Sequence, residues 1–200
     1  MVATFAAASR GIMTVGIAKV VDLIARAVMS DSEAGLYASG LIMVKAILFF
    51  PQFVVVIAFP SMSEQGASRK TLAFALAVSA ALGTLGVLAT LVLPDLALLF
   101  VGGDEFSAIK DDLWKFAIVG TLLAMLQLLV YSALARRQGR AVVIMWTALA
   151  VLVAFALSMS YATSLVMLVA AVDGVLFLAL FALAASQPTV RPAAPGAADG

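Results

Sequence analysis

Long apolar runs separated by short polar turns make up nearly the whole chain. Six runs stand out: Gly11 to Met29, Leu36 to Pro60, Thr71 to Leu93, Leu113 to Leu134, Ala141 to Leu157 and Leu165 to Ala185. Each is close to the ~20 helical residues needed to cross a bilayer core about 30 Å thick. They are joined by DSEAG, SMSEQGASRK, a longer PDLALLFVGGDEFSAIKDD, RRQGR and SMSYATS. The pattern predicts an all-α integral membrane fold, a bundle of six transmembrane helices over residues 1–187. Past Ser186 the chain reads QPTVRPAAPGAADG, which has nothing to bury and predicts a disordered tail over 188–200.

Composition turns that pattern into a statement about solvent. Hydrophobic residues make up 64% of the 200 positions and charged residues 12%, against about 45–50% and about 25% in a soluble domain. A small globule has no room to hide such an excess. The net charge of +1 provides no field to recruit nucleic acid, so that class of partner is set aside. With no Cys and no His, thiolate chemistry, disulfides and the usual transition-metal ligand sets are excluded, and no metal or cofactor is expected. The start, MVATFAAASR, lacks the basic region of a signal peptide, so the first span is expected to be retained.

Basic residues in short loops stay on the cytoplasmic side. Counted on alternate loops, Arg10, Arg69, Lys70, Arg136, Arg137, Arg140 and Arg191 share one side, and only Lys110 and Lys115 occupy the other. Both termini are therefore predicted to be cytoplasmic. The acidic turns Asp31/Glu33 and Asp104/Glu105/Asp111/Asp112 then face outward.

Polar residues inside the spans mark candidate chemistry. Lys19, Asp22 and Arg26 are spaced i, i+3, i+7 and share one helix face. Each ionised residue near the bilayer centre costs about 2.5–3.5 kcal/mol on the insertion scale, whereas each Leu, Ile or Val returns only about 0.3–0.6. The aliphatic residues of the first span do not offset three charges, so Asp22 is expected to pair with Lys19 or Arg26 and the stripe to face other helices or a wet cavity. Either the stripe lines a functional cavity, or it is an internal ion pair that fixes packing. Lys45 and Gln52 lie seven apart on one face of the second span, with Pro51 between them as a predicted kink. Cavity lining and plain packing are both open for this face. Ser79, Gly83, Gly86 and Thr90 form a small-residue stripe, read as a helix-packing seam. Gln127 shares a face with Gly120 and Tyr131, and Asp173 is the acidic candidate deep in the later spans, a possible counterion for Lys45.

Several motifs are missing. There is no GxxxxGK[ST] loop, HExxH or GxSxG, so neither an ATP-driven motor nor a hydrolase is indicated and the chain is read as a non-enzyme. The string GGDEF at residues 102–106 is read as a solvated turn.

The segment EAGLYASGLIMVKAILFFPQFVVVIAFPSMSE, Glu33 to Glu64, resembles the polysaccharide biosynthesis branch of the multidrug/oligosaccharidyl-lipid/polysaccharide flippase superfamily. The likeness lies in an outward acidic-AGLY turn, a kinked apolar helix and a helix-ending FP before a polar turn. LLFVGGDEFSAIKDDL, Leu98 to Leu113, is similar to that family's outward segment between two later spans. The number and orientation of spans fit its C-terminal half alone. The resemblance implies one half of a two-bundle flippase that moves polyprenyl-diphosphate-linked saccharide across the bacterial cytoplasmic membrane for cell-surface polysaccharide biosynthesis. It implies a second transmembrane bundle, or a second copy, as partner, and Lys19, Arg26 and Lys45 as the cations for the diphosphate. Two other functions stay open: cation-coupled drug efflux, using Asp22 and Asp173, and a noncatalytic scaffold that binds glycan-assembly enzymes through the small-residue seam and the Arg136/Arg137/Arg140 loop.

Overall fold

Apolar and small residues recurring every three or four positions put one continuous buried face on each helix. In the computed structural model, the backbone of residues 21–63, 69–135 and 139–186 and the side chains of 21–49, 71–133 and 139–186 are described. Every regular element among them is helical. In chain order these are α1 (residues 21–28), α2 (Asp31–Ser63), α3 (Arg69–Val92), α4 (Pro94–Val101), a 3-10 segment (Asp104–Asp112), α5 (Leu113–Ala135), α6 (Gly139–Ala156) and α7 (Ala162–Ala185). Five helices are long and apolar enough to cross a membrane, and they contain the second to sixth predicted spans. Most of the first predicted span, with Lys19, lies outside the described residues, as do the tail and Arg136/Arg137; α1 is its last two turns.

Two predicted connections turn out to be helical. DSEAG is not a turn, because α2 starts at Asp31 and only Met29 and Ser30 separate it from α1. Ser30 is placed as an N-cap: its hydroxyl accepts a long hydrogen bond, 3.4 Å, from the Glu33 N–H. The long outward connection folds into α4 and the 3-10 segment. Pro94 ends α3, since the residue before a proline is driven out of the helical region, and Leu93 sits at φ −124°, ψ 59°. Pro94 then opens α4, where its missing N–H costs nothing. Gly102 and Gly103, at φ 142° and 81°, end α4, and the Gly103 N–H donates back to the Leu98 carbonyl at 2.9 Å. At Pro51 the expected kink does not end the helix: α2 runs on to Ser63.

α5 is the hub, packing against α2, α3 and α7, while α6 sits at the edge against α7. Leu113, Phe116 and Ala117 on α5 are fully buried. Close approach comes from glycines, as expected where helices pack without water to drive them together. The Phe116 ring lies over Gly40, leaving no room for a side chain there, and a Cβ at Gly120 would lie 3.0 Å from the Val44 carbonyl oxygen. The first turns of α2 and α7 meet at one end, beside the start of α5. Consequently α2, α5 and α7 run parallel; α3 runs back against α2 and α5, and α6 runs back along the outer side of α7.

The outside of the bundle is apolar. Leu23, Phe74, Val92, Leu99 and Val175 are each more than two-thirds exposed, whereas Ser39, Ser79, Thr90, Ser132 and Asp173 are buried. Soluble monomers rarely expose such contiguous apolar surface. The distribution suits hydrocarbon as the surround.

Candidate functional site

Polar chemistry is grouped at two levels of the bundle. The first is the end where α2, α5 and α7 begin. Glu33, in the first turn of α2, accepts a hydrogen bond from the Ala162 N–H at 2.8 Å. Ala162 opens α7, whose own N-cap residue, Tyr161, offers no side-chain bond. A carboxylate there satisfies an orphan donor and faces the positive end of the helix dipole. One residue on, the Thr163 hydroxyl donates to Asp112, and Asp112 also takes the Lys115 ammonium at 2.5 Å. Lys110 reaches Asp95 at 2.5 Å across the same end. Two carboxylates from the starts of α2 and α5 thus hold the start of α7.

The second level lies further into the bundle. Asp22 and Arg26 on α1 form an ion pair, Oδ2 to Nε 3.3 Å, with the Arg26 side chain 62% exposed. Of the two partners expected for Asp22, Arg26 is the one seen, and Lys19 is outside the described residues. Val21, Ala25 and Met29 take the buried face of α1, so the pair is turned outward. Arg26 and Asp31 stand at the rim of an open hollow of about 250 Å³ floored by Ala34, Gly35 and Ala38.

Beside this, Tyr37 of α2 is buried and packs on Phe116, ring centroids 5.7 Å apart. Both Asp22 and Asp173 lie within electrostatic reach of its hydroxyl. Asp173, on α7, is 2% exposed, and its Oδ2 has no hydrogen-bond partner.

Other candidates are placed elsewhere. Lys45 is exposed, because Met43, Val44 and Ile47 take the buried face of α2. It forms no ion pair with Asp173 among the described residues. The position of Lys45 between Ile42 and Phe49, both exposed, puts a cation in an apolar stripe. The side chains of Pro51 and Gln52 are outside the described residues. Gln127 spends its amide within α5, donating to the Tyr131 hydroxyl at 2.8 Å. Along α3, Ser79, Gly83 and Thr90 are buried and Gly86 is half-buried. A Cβ at Gly83 would overlap Thr121, and one at Gly86 would touch Ile47 at 3.3 Å. Thr90 returns its hydroxyl to the Gly86 and Val87 carbonyls. Among the described residues no three acidic side chains converge as metal ligands would.

Sequence reading missed Tyr37, Thr163 and the use of Glu33. Tyr37 had a signal: it shares the three-four spacing of Ala34, Gly40 and Val44, which marks it as inward. Thr163 and Glu33 had none, since their partners are 51 and 129 residues away. No protein-family model matches the chain, and no curated protein or solved structure is detectably similar to it.

Proposed function

We propose that the protein is a membrane transport component that helps an amphiphile with an anionic head, a polyprenyl-diphosphate-linked saccharide, cross the bacterial cytoplasmic membrane, with both of its own termini cytoplasmic. The observation behind this reading is the setting of its cations. Arg26 stands at the rim of an open hollow, and Lys45 lies exposed in an apolar stripe of a spanning helix. An ammonium left in acyl chains at that depth costs about 2.5–3.5 kcal/mol. A face bearing it fits best against a wet cavity shared with another transmembrane bundle or a second copy of the chain. A diphosphate head matches those cations, and a polyprenyl tail matches the apolar walls. The resemblance of Glu33 to Glu64 and Leu98 to Leu113 to polysaccharide flippases supports the same substrate class, with cell-surface polysaccharide assembly as its place in the cell.

Reconstitution tests it. Proteoliposomes holding the chain with its co-purified partner are expected to move fluorescent lipid-linked saccharide between leaflets, and Arg26→Gln together with Lys45→Gln to slow that movement. Label that stays on its original leaflet with wild-type protein would reject the proposal. A second reading, cation-coupled export of lipophilic compounds, is favoured by the buried carboxylate of Asp173 and predicts drug hypersensitivity on deletion.

A further inference from the structure

Asp173 is the twelfth of the 24 residues of α7, about 17 Å from its start at 1.5 Å per residue. That is mid-span, where water is scarcest. Its surroundings on α7 are Val166, Val169, Leu176 and Leu180, all buried. Oδ2 is sealed from solvent and accepts no hydrogen bond. A buried ionised carboxylate needs a counter-charge or several donors, and without them it takes up a proton instead.

The neighbouring helices offer neither among the described residues. α5 bears two ionisable side chains, Lys115 and Tyr131; Lys115 is held by Asp112 at the helix start, and Tyr131, whose hydroxyl accepts from Gln127, sits in the last two turns of α5. α6 bears only Arg140, exposed in its first turn. On α2, Glu33 is engaged with the α7 start, Asp31 and Lys45 are exposed, and Tyr37 alone is buried within reach of Asp173. On α1, Asp22 is paired with Arg26.

We infer that Asp173 is a reversible proton-binding site in the middle of the bundle. One proton adds to the carboxylate when the site is enclosed and leaves when water enters between α2 and α7. No other bond changes. The role of this site in driving movement rests on the transport reading above; proton binding itself does not.

The experiment uses the full chain in lipid nanodiscs. A hydrophobic carbodiimide reacts with protonated carboxyls in apolar surroundings, and mass spectrometry locates the adduct. The expected adduct at neutral pH is on Asp173, lost at alkaline pH, and retained in Asp22→Asn. Infrared spectra are expected to show a protonated-carboxyl band that disappears in Asp173→Asn and shifts in Asp173→Glu. An unlabelled Asp173 with no such band, in protein of wild-type helicity, would overturn the inference. In proteoliposomes, Asp173→Asn is expected to lose the response to an imposed proton gradient; an unchanged response would overturn the coupling role. Labelling needs no substrate, so failure to flip a saccharide and failure to bind a proton are read separately.

Discussion

Gly83 and Gly174 answer opposite demands with the same residue. A side chain at Gly83 would overlap Thr121 on α5, whereas one at Gly174 would meet nothing within 4 Å. Gly83→Val is therefore expected to destabilise by about 1–3 kcal/mol through overpacking. Gly174→Ala is expected to stabilise by about 0.4–1 kcal/mol, because alanine narrows the unfolded chain without straining the helix. Thermal unfolding in detergent, followed by circular dichroism, reads both signs. Equal shifts in the same direction would show that the α3–α5 approach does not set the difference. The stripe containing Gly83 was visible in the sequence through its spacing. Which helix it touches was not, because spacing gives the face and leaves the neighbour open.

At the scale of elements, the start of α7 depends on a residue from α2. Ser30 and Glu33 occur in the S-x-x-E order that marks a helix start, and α2 does begin there. The Glu33 carboxylate, however, serves α7 through the Ala162 N–H. Glu33→Ala is expected to cost about 1 kcal/mol, the usual value of a lost N-cap, with faster amide hydrogen exchange in the first turn of α7 and little change in α2. Glu33→Gln, which keeps an acceptor oxygen, is expected to restore most of the protection. If exchange rises in α2 instead, Glu33 acts within its own helix. The outward connection gives a similar lesson. The eight residues from Pro94 to Val101, PDLALLFV, with five Leu, Phe or Val side chains and Gly102 and Gly103 after them, had the makings of a short helix that a loop reading overlooked.

At the scale of the whole molecule, large apolar side chains among the described residues face out, and several hydroxyls turn back on their own helices. Ser39 donates to the Leu36 carbonyl and Thr121 to the Ala117 carbonyl, which is how hydroxyls are satisfied where water is absent. Trp146 on α6 is 60% exposed, at the edge helix. Its fluorescence is expected to be quenched by lipids brominated on their acyl chains, with Trp146→Phe removing most of that quenching because the other tryptophan, Trp114, lies half-buried near the start of α5. Strong quenching by an aqueous agent, and none by brominated lipid, would place this face in water.

The five long apolar helices and most of their inward stripes follow from the sequence alone, because they depend on period and composition, which are local and additive. Neighbourhood does not. That Asp22 pairs with Arg26 lay within one helix and could be foreseen. The burial of Tyr37 and Asp173, the outward turn of Lys45 and the Glu33 clamp on α7 depend on how glycines at 40, 83 and 120 let particular helices approach. Only the folded bundle decides such long-range pairings, since no local energy distinguishes one apolar partner helix from another.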